Sequence, residues 1–193
     1  MESYFQQLAR AISAIPFGAV GRITDALVGA FENGRTALFF GNGGSAAAAS
    51  HVICDLNKAA SSEQRRLKAI SLTDNVPLMT AWANDAGYEH VFSEQLKTFV
   101  QPGDVAVAIS CSGNSANVLL GIKAAREAGA ITVGLTGFDG GNLKEACDIC
   151  VIVPSYTIQI VEDIHCSILH ALTIAVRERI HRKRETTLAA AKT

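Results

Sequence analysis

With 193 residues, 49% of them hydrophobic and 18% charged, the chain is long enough for one domain with a real core and too apolar to be disordered. Its net charge of −1 gives no global attraction to nucleic acid or to an anionic membrane, so neither is expected as a partner. The opening MESYFQQLARAISAIPFG has polar residues early, and no apolar run approaches the ~18–20 residues of a membrane span, so neither a leader nor a spanning segment is expected.

The spacing of Phe5, Leu8, Ile12 and Ile15, then of Val20, Ile23, Leu27 and Phe31, predicts two amphipathic helices closed by Asn33-Gly34. They form a helical N-terminal extension over residues 1–34. Five short apolar runs follow, at 36–40, 67–72, 104–110, 130–136 and 148–154. Helix-like stretches separate them at 45–58, 76–100 (broken near Asp85–Tyr88), 115–129 and 141–146. Continuous apolar strands alternating with helices predict an α/β fold, a parallel sheet covered on both faces. Ile158 to His181 reads as one long apolar helix, and residues from about 182 to 193 as an exposed tail. Arg65-Arg66 and the basic residues from Arg177 to Arg184 read as a solvated face. No linker or repeat divides the chain, so residues 1–193 form a single domain. Five scattered cysteines, Cys54, Cys111, Cys147, Cys150 and Cys166, read as reduced thiols in a cytoplasmic protein. Cys147 and Cys150 make a lone C-x-x-C, too little for a structural zinc or a redox motif.

Open parallel sheets bind ligands at the carboxyl ends of strands where the strand order reverses. In an order 2-1-3-4-5 that point lies between the first and third strands. The first ends at Gly41-Asn42-Gly43-Gly44-Ser45 and the third at Ser110-Cys111-Ser112-Gly113-Asn114-Ser115. The serine loop offers hydroxyls and backbone N–H groups just before a helix, where an anion meets unsatisfied donors and the positive end of the helix dipole. It has no lysine, and the chain has no G-x-x-x-x-G-K-[ST], which excludes a nucleoside-triphosphate P-loop. A phosphomonoester held by neutral donors fits, against the alternative of a plain serine helix cap. His51 and Asp55 share one helix face at i, i+4. On the last helix, at about 100° per residue, His165 and His170 lie about 140° apart, so one ion would not take both. Glu162 and Asp163 fall within about 80° and about 20° of His170, and either carboxylate shares a rim with it. Two histidines with carboxylates make a legitimate zinc set. Asn84-Asp85, followed by Gly87, is compatible with a turn and with a polar pair orienting sugar hydroxyls.

Six segments in order, GNGGS (41–45), TDN (73–75), ANDAGYEHVF (83–92), ISCSGNSANV (109–118), GLTGFDGG (134–141) and VEDIH (161–165), resemble a sugar isomerase (SIS) domain. The similarity runs from about residue 15 to residue 180 and points to the phosphoheptose isomerase branch. The resemblance implies a three-layer α/β/α fold with a five-stranded parallel sheet in the order 2-1-3-4-5. It implies aldose–ketose isomerisation of sedoheptulose 7-phosphate through an enediol, in a cytoplasmic homotetramer with active sites at subunit interfaces. By motif position, Asn42, Gly43, Gly44, Ser45, Asp85, Ser110, Cys111, Ser112, Ser115 and Gln159 would bind the sugar phosphate. His51, Asp55, Glu162 and His170 would hold zinc, one per subunit, and Asp55 and His170 would carry acid/base catalysis.

The chain departs from the family pattern at Asp55 (usually Glu), Glu162 (usually Gln), Gln159 (usually acidic) and Cys111 (usually Thr). These changes fall among the expected ligands, so an isomerase of another long-chain ketose phosphate, such as an octulose phosphate, is the alternative substrate reading. A non-catalytic, replication-initiator-binding branch of the same family is the alternative from another class. The convergence of His51, Asp55 and His170 argues against it.

Overall fold

Each strand is a run of alternating side chains, and the alternation decides which residues face which helical layer. The computed structural model describes residues 1–60 and 65–190, with side chains described as far as residue 183. Two helices, α1 (Glu2–Ser13) and α2 (Phe17–Glu32), precede β1 (Thr36–Gly41) and α3 (Gly44–Ala59). Then come β2 (Lys68–Ser71), α4 (Val76–Asp85), a 3₁₀ turn (Tyr88–His90), α5 (Ser93–Phe99), β3 (Val105–Ser110) and α6 (Ala116–Glu127). The chain closes with β4 (Ile131–Thr136), α7 (Leu143–Ala146), β5 (Ile149–Ile152) and α8 (Ile158–Ala190). The strands form one parallel sheet in the order β2-β1-β3-β4-β5, as the resemblance implied.

Phe39, Val107, Ile109, Val133 and Leu135 face a core shared with α2, α3 and α8, through Ile23, Leu27, Val52, Leu56, Ile164 and Leu172. Leu38, Phe40, Ala106 and Ala108 face the opposite core, with Phe92, Leu96, Val118 and Ile122 from the 3₁₀–α5–α6 side. Burying both faces of the central strands explains why they read as continuous apolar runs.

The stretch over 76–100, expected to break near Asp85–Tyr88, is three pieces interrupted at Gly87, whose φ is +100°. α8 continues past residue 181 to Ala190; residues 182 and 183 are exposed, and the remainder of the expected tail lies outside the described side chains. Residues Ile158–Lys183 of α8 are long and apolar enough to cross a bilayer, with a mean hydropathy of 1.2. That stretch carries Glu162, Asp163, His165 and His170 and packs against α1, α2 and α3, so its apolar face is that of a core helix. The basic run from Arg177 is partly paired rather than only solvated: Arg179 donates to Asp25 and Lys183 to Glu32 of α2. Arg65 likewise donates to the Phe31 and Glu32 carbonyls. The five cysteines are free thiols.

Candidate functional site

The two loops at the switch point meet, and they enclose a cavity of about 210 Å³. Asn42 and Ser45 come from the β1–α3 side, and Ser110, Cys111, Ser112 and Ser115 from the β3–α6 side. Sequence reasoning named all six. The serine loop is tied down by its own bonds: Ser110 and Ser115 hydroxyls lie 3.4 Å apart, and Asn114 N–H donates to Ser112 Oγ at 3.2 Å. Gly113 has φ +64°, and a Cβ there would sit 2.1 Å from the Gly140 carbonyl oxygen. Only glycine lets the serine loop approach the β4–α7 loop this closely. Among the described residues the cavity walls carry hydroxyls, a thiol, an amide, the Glu162 carboxylate and the start of α6, and no cation. They suit an anion bound by neutral donors at a helix N-terminus. Larger hollows exist, including one of about 430 Å³ between α2 and α8, but that one is walled by Asp25, Glu32 and Arg179, which are engaged in ion pairs.

Glu162 reaches the same cavity from the first turns of α8. Its carboxylate lies over the start of α3, 2.2 Å from where a Cβ on Gly44 would stand. A carboxylate is favoured there by the positive end of α3. Burial and the negative charge of Glu162 push the Cys111 thiol up from its ordinary value, while a hydrogen bond with Ser45 opposes them. Cys111 is therefore a neutral thiol in this wall.

A second cluster forms where α3 packs on α8. His51 Nε2 lies 3.4 Å from Asp55 Oδ2, His170 Nε2 lies 3.8 Å from the same oxygen, and the two imidazole nitrogens are 3.2 Å apart. One ligand atom from each residue falls within 4.8 Å of the others. Two imidazole nitrogens and a carboxylate oxygen at this spacing could hold a divalent metal ion. Glu162, expected as a fourth ligand, is not in this cluster. It precedes His170 by two helical turns, about 12 Å along the axis, and that separation puts it in the serine-loop cavity instead. Asp163 is not in this cluster either, and accepts from Tyr4 Oη at 2.6 Å.

The triad, through His51 and His170, also borders a small hollow with Ala48, Val52, Cys166 and Leu169. Within one chain it is therefore displaced from the anion seat: Ser45 and His51 are six residues apart on α3, about 9 Å along the helix. Gly43 and Gly44 stand exposed at the rim of the seat. Asp85 and Gln159 are exposed and line neither cavity. Asp85 accepts from Asn84 Nδ2 at 2.8 Å. His165 is buried beneath the sheet end, 1% exposed, with Nε2 3.1 Å from the Thr136 carbonyl. Burial holds it at a pKa of about 4, so it is a neutral core residue.

Five residues not singled out from the sequence complete the site. Ile109, Phe138 and Ile158 line the cavity. Phe138, at φ +57°, stacks face to face on Tyr156 with ring centroids 5.5 Å apart. Asn117 and Tyr88 hydrogen-bond Asn42. Tyr88, Asn117 and Phe138 lay within the quoted motifs, but nothing in their spacing indicated the contacts they make.

Comparison with known proteins agrees with this geometry. The model of a family described as the SIS domain matches residues 3–137. The chain is 40% identical to phosphoheptose isomerase of Rhodospirillum rubrum, over 84% of this chain and 86% of that one. It is 38% identical to a probable phosphoheptose isomerase of Thermoplasma acidophilum, over 92% and 98%. Among solved structures, phosphoheptose isomerase from Neisseria gonorrhoeae superposes with a TM-score of 0.86 at 32% identity, over 92% and 96% of the two chains.

Proposed function

Because the chain belongs to the SIS-domain family and is an aldose–ketose isomerase of the phosphoheptose isomerase type, we propose that it interconverts sedoheptulose 7-phosphate and D-glycero-D-manno-heptose 7-phosphate through an enediol. The observation that carries this reading is the meeting of Asp55 and His170, a carboxylate and an imidazole from two different helices, in a fold that also builds a cation-free anion seat.

The reaction moves one proton between C1 and C2 and another between O1 and O2, with no net change of oxidation state. The serine loop holds the phosphate and sets the register of the sugar chain. Asp55 faces both imidazoles with Oδ2, which leaves Oδ1 to take the carbon-bound proton and return it to the neighbouring carbon. His170 moves the hydroxyl proton. His51, Asp55 and His170 would hold a divalent cation, zinc by family resemblance, which when bound stabilises the oxygen that gains negative charge. Glu162 and Gln159, at the start of α8, would contact the sugar, as would Asp85.

By family resemblance, neighbouring subunits of a homotetramer would complete each site. The product suits a route to heptose units for glycans, and the five free thiols suit a cytoplasmic setting. Proton NMR of sedoheptulose 7-phosphate in deuterated buffer tests the reading. New aldoheptose signals carrying deuterium at C2 are expected, abolished by chelator and restored by zinc. A folded, metal-loaded protein that produces none would overturn the seven-carbon substrate.

A further inference from the structure

Among the described residues, Phe138 is the one residue other than glycine with a positive φ, +57°. A left-handed backbone crowds the Cβ of any L-residue, and a bulky aromatic one stays there only where its surroundings over-determine it. They do so here. The Phe138 N–H donates to the Ser155 carbonyl at 3.1 Å, and the preceding Gly137 N–H donates to the Cys111 carbonyl at 2.9 Å. A Cβ on Gly137 would stand 2.5 Å from a Val161 methyl. The turn is thus fixed to the serine loop on one side and to the β5–α8 connection and α8 on the other.

This strained turn places the Phe138 side chain in the wall of the anion seat, together with Ile158. Tyr156 lies parallel to the ring, at an interplanar angle of 5°. Tyr156 is itself 78% exposed and does not line the cavity, so its contribution there is to cover one face of Phe138. The lining is therefore divided. Ser45, Ser110, Ser112 and Ser115 offer hydroxyl donors, while Phe138 and Ile158 offer none. A phosphate group has five heavy atoms, and a cavity of about 210 Å³ equals about seven waters at about 30 Å³ each. It holds the phosphate and the carbon that carries it. With the phosphate oxygens on the donors, that carbon falls to the apolar part of the wall.

Resting on the reading of this cavity as the substrate's phosphate seat, we propose that Phe138 is a specificity-determining residue that confines the seat to sugars phosphorylated on a terminal methylene. A CH₂ set against Phe138 and Ile158 leaves water and gains contact. An anomeric carbon brings the ring oxygen to the same wall, where it loses water and meets no donor. The phosphate itself is held by the serine loop. Phe138 accordingly governs which ester binds and not whether phosphate binds.

Calorimetric binding of glucose 6-phosphate and glucose 1-phosphate, two esters of one sugar with the same charge, tests this. The wild type should favour the 6-phosphate by at least about fivefold, the lower end of what an unpaired buried polar atom costs. In Phe138→Gln, whose amide can donate to the ring oxygen, the preference should fall below about twofold. Affinity for inorganic phosphate should stay within about twofold of wild type in the same variant. Phe138→Gly accepts a left-handed backbone without strain and should lose the preference as well, whereas Phe138→Leu keeps an apolar wall and should retain it. Equal affinity of the wild type for the two esters overturns the proposal, as does a preference that both Phe138→Gln and Phe138→Gly retain. A folded wild type that binds neither ester nor inorganic phosphate removes the phosphate seat and this inference with it. Binding of inorganic phosphate and both esters without the preference removes the inference alone.

Discussion

His51 Nε2 and His170 Nε2 stand 3.2 Å apart across the contact between α3 and α8. At that distance one imidazole must donate to the other, and both face the same Asp55 oxygen. Replacing the shared proton with a divalent cation would satisfy all three ligands at once. His51→Ala should therefore lower the zinc retained per subunit after dialysis, measured by elemental analysis. Unchanged metal content would show that the triad is not the binding site.

The acid/base role gives a separate expectation. His170→Ala should reduce isomerisation by about 10³-fold, within the range for loss of a general acid–base group. Inhibition by inorganic phosphate should stay within about twofold of wild type, because the serine loop does not touch His170. A fully active variant would remove His170 from the chemistry.

The serine loop can be tested through Gly113. With φ at +64° and the Gly140 carbonyl 2.1 Å from the missing Cβ, Gly113→Ala forces a left-handed alanine against backbone. About 2 kcal/mol of stability or more should be lost, read as a lower urea midpoint, and phosphate affinity should fall with it. A variant equal to wild type in both would show that the loop is not fixed by that close approach.

His165 predicts an acid sensitivity. Its pKa is lowered from 6.5 to about 4, through burial, with the Thr136 carbonyl acting in the opposite direction. Between those values the unfolded chain binds the proton and the folded chain does not. Stability is then fully present above about pH 6.5 and declines as pH falls toward about 4, by up to about 3 kcal/mol. Denaturant titrations across that window should show the decline, and His165→Gln should flatten it. A variant with the wild-type slope would assign the acid loss to other groups.

Apolar surface left uncovered in one chain gives an expectation of self-association. Phe5 and Phe17 are 65% and 66% exposed, and Asp163 fastens α1 to α8 through Tyr4. Sedimentation should give a mass well above the 20.4 kDa of one chain. A stable monomer would contradict sites completed by a neighbouring subunit.

The sequence alone determined what depends on neighbours along the chain. Continuous apolar runs such as Val105–Ser110 determined the strands, and glycine and serine at the ends of β1 and β3 marked the candidate anion seat. The i, i+4 spacing placed His51 and Asp55 on one face. Only the tertiary structure decided which groups from distant segments meet. Helical angles allowed Glu162 or Asp163 to join His170, yet α8 delivers Glu162 to the start of α3 and Asp163 to Tyr4. His170 instead meets Asp55, because α3 and α8 pack side by side over one face of the sheet. Asn42, Asn117 and Tyr88 come together for the same reason: periodicity is a local property of the chain, while contact between elements is set by how their buried faces pack.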